Sequence, residues 1–179
     1  MLGIKLVLYG LILAVSSFIG ITIAQKYNNR VKNLREMKKA LNHFKTKIKF
    51  TYEPIPEILE EMIESVTGET KQIFITALEK MENKNAGEAW NEAIEASNVM
   101  LEQEDKDILK NLGKLLGKTD IEGQLSEIEL TSSFLDSQIK KAEQERERNG
   151  KLYKTLGVIT GIGIVIVLIW ERNDNKYGY

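Results

Sequence analysis

Two uncharged apolar runs, residues 6–24 and 155–170, enclose a middle region dense in charged side chains. The first has 19 residues, and at about 1.5 Å of helical rise per residue it matches a hydrocarbon core of about 30 Å. The second has 16. Leu152 and Tyr153 lengthen it when Lys154 snorkels to the headgroups, and Trp170 suits the far interface. Both read as spanning helices, so the chain is expected to hold one soluble domain between two membrane anchors.

A cleaved signal peptide is the rival reading of the first run, because Thr22, Ile23 and Ala24 loosely resemble a small-residue cleavage site. Signal peptides carry positive charge ahead of the apolar stretch. Here Lys5 alone precedes it, while Lys26, Arg30, Lys32, Arg35, Lys38 and Lys39 follow. Lys and Arg beside a spanning helix stay on the cytoplasmic side. Arg146, Arg148, Lys151 and Lys154 precede the second run, and the charges of Glu171, Arg172, Asp174 and Lys176 after it cancel. The expected topology puts both termini outside and the middle region inside. The expected domains are an anchor at 1–24, a cytoplasmic helical bundle at 25–154, a second anchor at 155–170 and a short polar tail at 171–179.

Net charge is −1, but its distribution is uneven. Residues 25–49 hold nine basic side chains against Glu36 alone, and residues 50–107 hold fifteen acidic side chains against Lys71, Lys80, Lys84 and Lys106. A basic stretch beside a spanning helix reads as topogenic and facing anionic lipid, and not as a nucleic-acid patch. Cysteine is absent, which excludes disulfide frameworks and thiol chemistry.

Within the middle region, Leu34, Met37, Leu41, Phe44 and Ile48 recur at 3-4-3-4 spacing, one stripe of an amphipathic helix that continues from the first anchor. It should stop near Tyr52, because Pro54 and Pro56 restrict the residues before them and remove amide donors. A second helix carries Ile58, Leu59, Met62, Ile63 and Val66, with Thr67 and Gly68 as its stop. A third carries Ile73, Phe74, Ala77, Leu78 and Met81. Ala89, Trp90, Ala93 and Ile94 line a short fourth. Ile108, Leu109, Leu112, Leu115 and Leu116 line a fifth, closing at Gly117. After Thr119, read as an N-cap with Glu122 completing a capping box, a last helix carries Ile121, Leu125, Ile128, Leu135, Ile139 and Ala142. This helix is read as running on into the second anchor, with Asn149 and Gly150 as its expected break or kink. No period-two alternation appears, so the fold is expected to be all-α: an antiparallel bundle of about six helices flanked by two transmembrane helices.

The parts of an enzyme are missing. There is no phosphate-cradling glycine loop, no Cys or His pair at metal spacing, and no nucleophile beside a base. His43, the one histidine, lies on the basic helix and reads as a surface or packing residue. Glu104, Asp105 and Asp107 lack the glycine and bidentate glutamate of a calcium loop and read as an acidic helix start. No catalytic, cofactor or metal residues are expected.

Two features suit binding. Glu57, Glu60, Glu61 and Glu64 share one face of the second helix; the alternatives are a solvated face and a dock for a basic partner. In the anchors, Ser16 with Gly20 and Gly157 with Gly161 form small-xxx-small faces. Antiparallel packing would set Gly20 level with Gly157 and Ser16 level with Gly161. Use of these faces between subunits, including copies of this chain, is the alternative.

Three segments make the chain recognisable: Pro54-Ile55-Pro56-Glu57, then Ala89-Trp90-Asn91-Glu92-Ala93, then Leu112-Gly113-Lys114-Leu115-Leu116-Gly117-Lys118-Thr119-Asp120-Ile121-Glu122-Gly123-Gln124. With the two anchors they resemble the stage III sporulation protein AB family of endospore-forming bacteria, from first anchor to last. The third segment is the most specific, yet its residue content is structural. Gly117 suits a helix end, Thr119 or Asp120 a cap, and Gly123 a close helix approach.

The resemblance implies a component of the assembly in the mother-cell membrane around the forespore, similar to the F-type platform proteins of type II secretion and type IV pilus systems. By analogy with secretion motors it implies a cytoplasmic ATPase partner, stage III sporulation protein AA, alongside membrane subunits of the same complex. The expected function is a non-catalytic platform subunit that couples the ATPase to membrane components. The alternative is a membrane-tethered regulatory or sensory bundle.

Overall fold

The computed structural model describes residues 2–51, 53–118 and 120–177. They form α1 (Leu2–Phe50), α2 (Ile55–Ser65), α3 (Glu69–Met81), α4 (Ala86–Ala96), α5 (Gln103–Gly113), α6 (Ile121–Glu145), a π-helical turn (Arg146–Gly150) and α7 (Lys151–Tyr177), with no strand among the described residues. The chain divides into two compact units, a terminal helix pair (residues 1–28 and 143–179) and a central bundle (residues 29–142).

The central bundle is built on the stripe of α1. Leu34, Met37, Leu41, Phe44 and Ile48 are all buried, and one core joins them to Ile58, Leu59 and Met62 of α2, Ile73 and Phe74 of α3, Trp90 and Ile94 of α4, Leu109 and Leu112 of α5, and Ile128 and Leu135 of α6. Burying each such side chain is worth roughly 1.5–3 kcal/mol. Helix α2 packs on α3, α3 on α4, and α4 on α5. Ion pairs Lys38–Asp136 and Lys45–Glu129 run α6 antiparallel to α1.

Helix ends follow local chemistry. Pro54 sits at the N-cap of α2 with φ −59°, set by its own ring, and ψ 147°, while Pro56 lies in the first turn, where an amide donor would have no helical acceptor. The Asn85 side chain accepts from the Glu88 amide (3.0 Å) to cap α4, and Glu102 with Asp105 forms a capping box on α5. Asp120 Oδ1 accepts from the Gly123 amide at 2.9 Å and so caps α6. Tyr52 and Thr119, where a stop and a cap were expected, lie outside the described residues.

Two boundaries differ from the sequence reading. Helix α2 ends at Ser65, with Val66 extended (φ −104°, ψ 145°), and Gly68 (φ +70°) instead opens α3. Helix α5 ends at Gly113, and residues 114–118 turn through short bonds such as Lys118 N–H to Leu115 O (3.0 Å) before Gly117 (φ +72°) redirects the chain. Tight turns keep Leu112 and Leu116 on one side, so the apolar spacing looks helical past the true end, while Leu115 is left 39% exposed. The break or kink expected at Asn149 and Gly150 takes the form of a π-helical turn between α6 and α7.

In the terminal pair the two helices run antiparallel with backbones in contact. A Cβ on Gly20 would lie 2.5 Å from the Tyr153 carbonyl oxygen, and one on Gly157 would lie 2.8 Å from the Ser16 carbonyl oxygen. Ser16 Oγ donates to the Gly157 carbonyl. A Cβ on Gly161 would meet Ser16 Cβ at 3.1 Å, and the Tyr27 and Tyr153 rings stack with centroids 6.1 Å apart. The outward faces are apolar, from Leu6 and Phe18 to Ile166 and Trp170. Both helices are long and apolar enough to cross a membrane.

Candidate functional site

The acidic face of α2 is uneven. Glu57, Glu60 and Glu64 are exposed, and among the described residues none of the three forms an ion pair. Glu61 is half-buried and pairs with Lys47 of α1, which also lies 3.8 Å from Glu53. The Glu61 hydrogen bond raises the Lys47 pKa, outweighing the opposing effect of burial. The offset that α2 lacks in its own sequence is thus supplied by α1 at one carboxylate, leaving three that present negative charge to solvent.

The three recognisable segments converge at one end of the bundle. A Cβ on Gly113 would lie 2.3 Å from Asn91 Oδ1, and one on Gly87 would lie 2.0 Å from the Gly113 carbonyl oxygen, so α4 and α5 touch backbone to backbone where only glycine fits. At Gly117 the nearest side chains are Ile55 of the first segment (3.3 Å) and Ala86 (3.5 Å). The Gly117 amide donates to Gln124 Oε1 at 3.4 Å. Pro54 and Pro56 start α2 beside this joint, and Gly123 is half-buried at the start of α6. This joint fixes how α2, α4, α5 and α6 meet.

Trp90, from the second segment, is 2% exposed. Its ring tilts against Phe74 (centroids 5.7 Å apart) and its Nε1 donates to the Leu109 carbonyl at 2.7 Å. On the same helix Glu92 receives both Lys80 of α3 and Lys84 of the turn that follows it, whose hydrogen bonds, Lys84's first, hold its carboxyl below the usual range.

A further polar site escaped the sequence reading. Arg30, counted there among the topogenic charges, is 4% exposed in the bundle. It forks onto Asp105, with Nε to Oδ2 at 2.8 Å and Nη2 to Oδ1 at 3.0 Å. Nη2 also donates to Gln138 Oε1 at 3.2 Å, and Nη1 lies 2.9 Å from Glu102. Asp105 is 0% exposed and its Oδ2 also accepts the Glu102 amide (2.9 Å). Asp105 is therefore both a cap and the counter-charge of a buried arginine, a bidentate pair that fixes α1 against α5 and α6. The usable signal was positional: Arg30 is four residues before Leu34, Asp105 four before Leu109, and Gln138 three after Leu135, each on its helix's buried stripe.

Among the described residues no group of three or more His, Cys, Asp or Glu side chains is arranged to hold a metal ion. His43 is half-buried on α1.

The family model described as stage III sporulation protein AB matches residues 5–169. Stage III sporulation protein AB of Bacillus subtilis (strain 168) is 22% identical over 162 residues, 88% of this chain and 95% of that protein. A solved structure of stage III sporulation protein AB aligns with a TM-score of 0.63 at 19% identity, over 67% of this chain and 98% of that one, a likeness of fold.

Proposed function

Because the chain belongs to the stage III sporulation protein AB family, we propose that it is a membrane platform subunit of the mother-cell-to-forespore channel complex. In this reading it has no catalysis of its own and couples a cytoplasmic ATPase, stage III sporulation protein AA, to membrane components. The observation that carries the proposal is the pairing of two apolar helices, backbone to backbone at Gly20 and Gly157, drawn from opposite ends of a chain whose middle folds as a separate charged bundle. That arrangement supports an anchored cytoplasmic bundle in the mother-cell membrane around the forespore. The basic residues on both inner flanks support the orientation. A reporter active only outside the cytoplasm should be silent when fused after Gly68 and active after Tyr179. The opposite pattern would overturn the orientation and the platform role with it.

Glu57, Glu60 and Glu64 are the residues proposed to meet a basic surface of the ATPase. Glu57→Lys with Glu64→Lys removes the negative field while making every i,i+3 and i,i+4 neighbour on that face opposite in charge, a gain of roughly 0.2–0.5 kcal/mol per pair, so α2 should persist. Glu61 and its partner Lys47 are untouched. Sporulation should fail at normal protein abundance, and a photoreactive residue at position 60 should cross-link the ATPase in sporulating cells. Wild-type binding should weaken as salt rises, since exposed charges are screened over about 8 Å at physiological ionic strength. Normal sporulation by the double variant would mean that the face is only solvated.

A further inference from the structure

We propose that a groove between α5 and α6 is a surface through which the central bundle docks onto a second copy of this chain. The groove has a volume of about 400 Å³. Ile108 and Leu115 come from the α5 side, Leu130 and Phe134 from α6. Leu115 is 39%, Leu130 48% and Phe134 49% exposed. The apolar outer faces of α7 and of the first part of α1 need no partner beyond lipid, but these residues belong to the other unit. Ile128 and Leu135 already deliver α6 to its core, so Leu130 and Phe134, four apart, form a second apolar stripe that folding of the single chain leaves uncovered. A cluster of this kind marks an interaction surface far better than scattered apolar residues do.

The charges on the rim select the occupant. Lys114 stands on the α5 wall and Glu127 on the α6 wall. Among the described residues neither forms an ion pair, whereas neighbouring Lys110, Glu129 and Asp136 are paired with Glu95, Lys45 and Lys38. Opposite signs on opposite walls are self-complementary. In a two-fold dimer with its axis along the groove, the α5 wall of each copy lies over the α6 wall of the other. Lys114 then meets Glu127 twice, at the edges of a buried centre of Leu115, Leu130 and Phe134. A strongly basic or acidic partner, or an anionic lipid surface, would meet one wall of the wrong sign. The inference is independent of the ATPase-coupling role.

The test uses full-length chains carrying two different tags, co-expressed, extracted from the membrane in mild detergent and recovered through one tag. Wild-type copies should co-purify. Lys114→Glu in both copies, or Glu127→Lys in both, should cut recovery by roughly tenfold, because each places two like-charge pairs at the rim. Lys114→Glu in one copy with Glu127→Lys in the other should restore it, which also shows that both variants fold. Phe134→Ser should abolish recovery while leaving the thermal midpoint nearly unchanged. The proposal is overturned if wild-type copies do not co-purify, leaving the groove to a different partner. It is equally overturned if recovery ignores both reversals, as association through the terminal helices alone would, or if the complementary pair fails to restore it.

Discussion

Trp90→Ala should destabilise the central bundle by about 3–5 kcal/mol, the range for truncating a fully buried aromatic. Three observations set the expectation at this level. The indole is 2% exposed, it packs against Phe74, and the residual space among Leu41, Phe44, Leu59, Phe74, Trp90, Leu112 and Leu116 is only about 10 Å³. Packing that tight has no slack with which to refill an indole-sized void. Truncation also strips the Leu109 carbonyl of its side-chain donor. Trp90→Phe separates the two effects, since it keeps most of the ring volume but not the donor, and should cost about 1–3 kcal/mol. Against a typical domain stability of roughly 5–15 kcal/mol, the alanine variant approaches the folding threshold while the phenylalanine variant stays above it. Urea unfolding of the full chain in detergent, followed by far-ultraviolet circular dichroism, measures both. A loss below about 1 kcal/mol for Trp90→Ala would contradict the burial on which the expectation rests.

The all-α architecture was legible because each helix carries its core residues at helical spacing. Leu34, Met37, Leu41, Phe44 and Ile48 were named as a stripe, and each is buried in one core. Spacing is a weaker guide to where a helix ends. Leu112 and Leu116 fall on one side whether the backbone between them is helical or turning, so α5 appeared to run to Gly117 when it ends at Gly113. The decisive contact there is tertiary: Gly113 lies against Gly87, 26 residues earlier, a proximity no local pattern contains. The acidic face of α2 was visible as four glutamates at helical spacing, but the Lys47–Glu61 pair, which divides it, depends on how α1 and α2 cross. Arg30 was missed because a basic residue after an apolar run has a sufficient explanation in topology. Only the register of the α1 stripe, extended back four residues from Leu34, would have placed it inside.

The Arg30 and Asp105 pair carries the other large expected effect. Asp105→Ala should cost about 3–5 kcal/mol, because it leaves a guanidinium charge in the core without its counter-charge. It also removes the acceptor of the Glu102 amide at the start of α5, a loss worth roughly 1 kcal/mol by comparison with helix caps. Glu102 is a poor substitute, since it is 49% exposed and already bound to a separate nitrogen of Arg30. Asp105→Asn keeps the shape and an oxygen for the cap but not the charge, so most of its deficit measures the ion pair itself. The opposite manoeuvre discriminates stability from specificity. Removing all the buried polar side chains together, with Arg30→Met, Asp105→Leu and Gln138→Leu, leaves no orphan charge in the core, although the Glu102 amide still loses its acceptor. The triple variant should recover to within about 1–2 kcal/mol of the wild type, because apolar replacement of a whole buried pair is often neutral or better. Its equilibrium unfolding, measured beside Asp105→Ala under the same conditions, is the check. Were the triple variant as unstable as the single one, the network would be contributing net stability. Recovery with altered helix pairing, read from cross-linking of cysteines placed at positions 38 and 136, would instead assign the pair the task of holding α1 in register against α5 and α6.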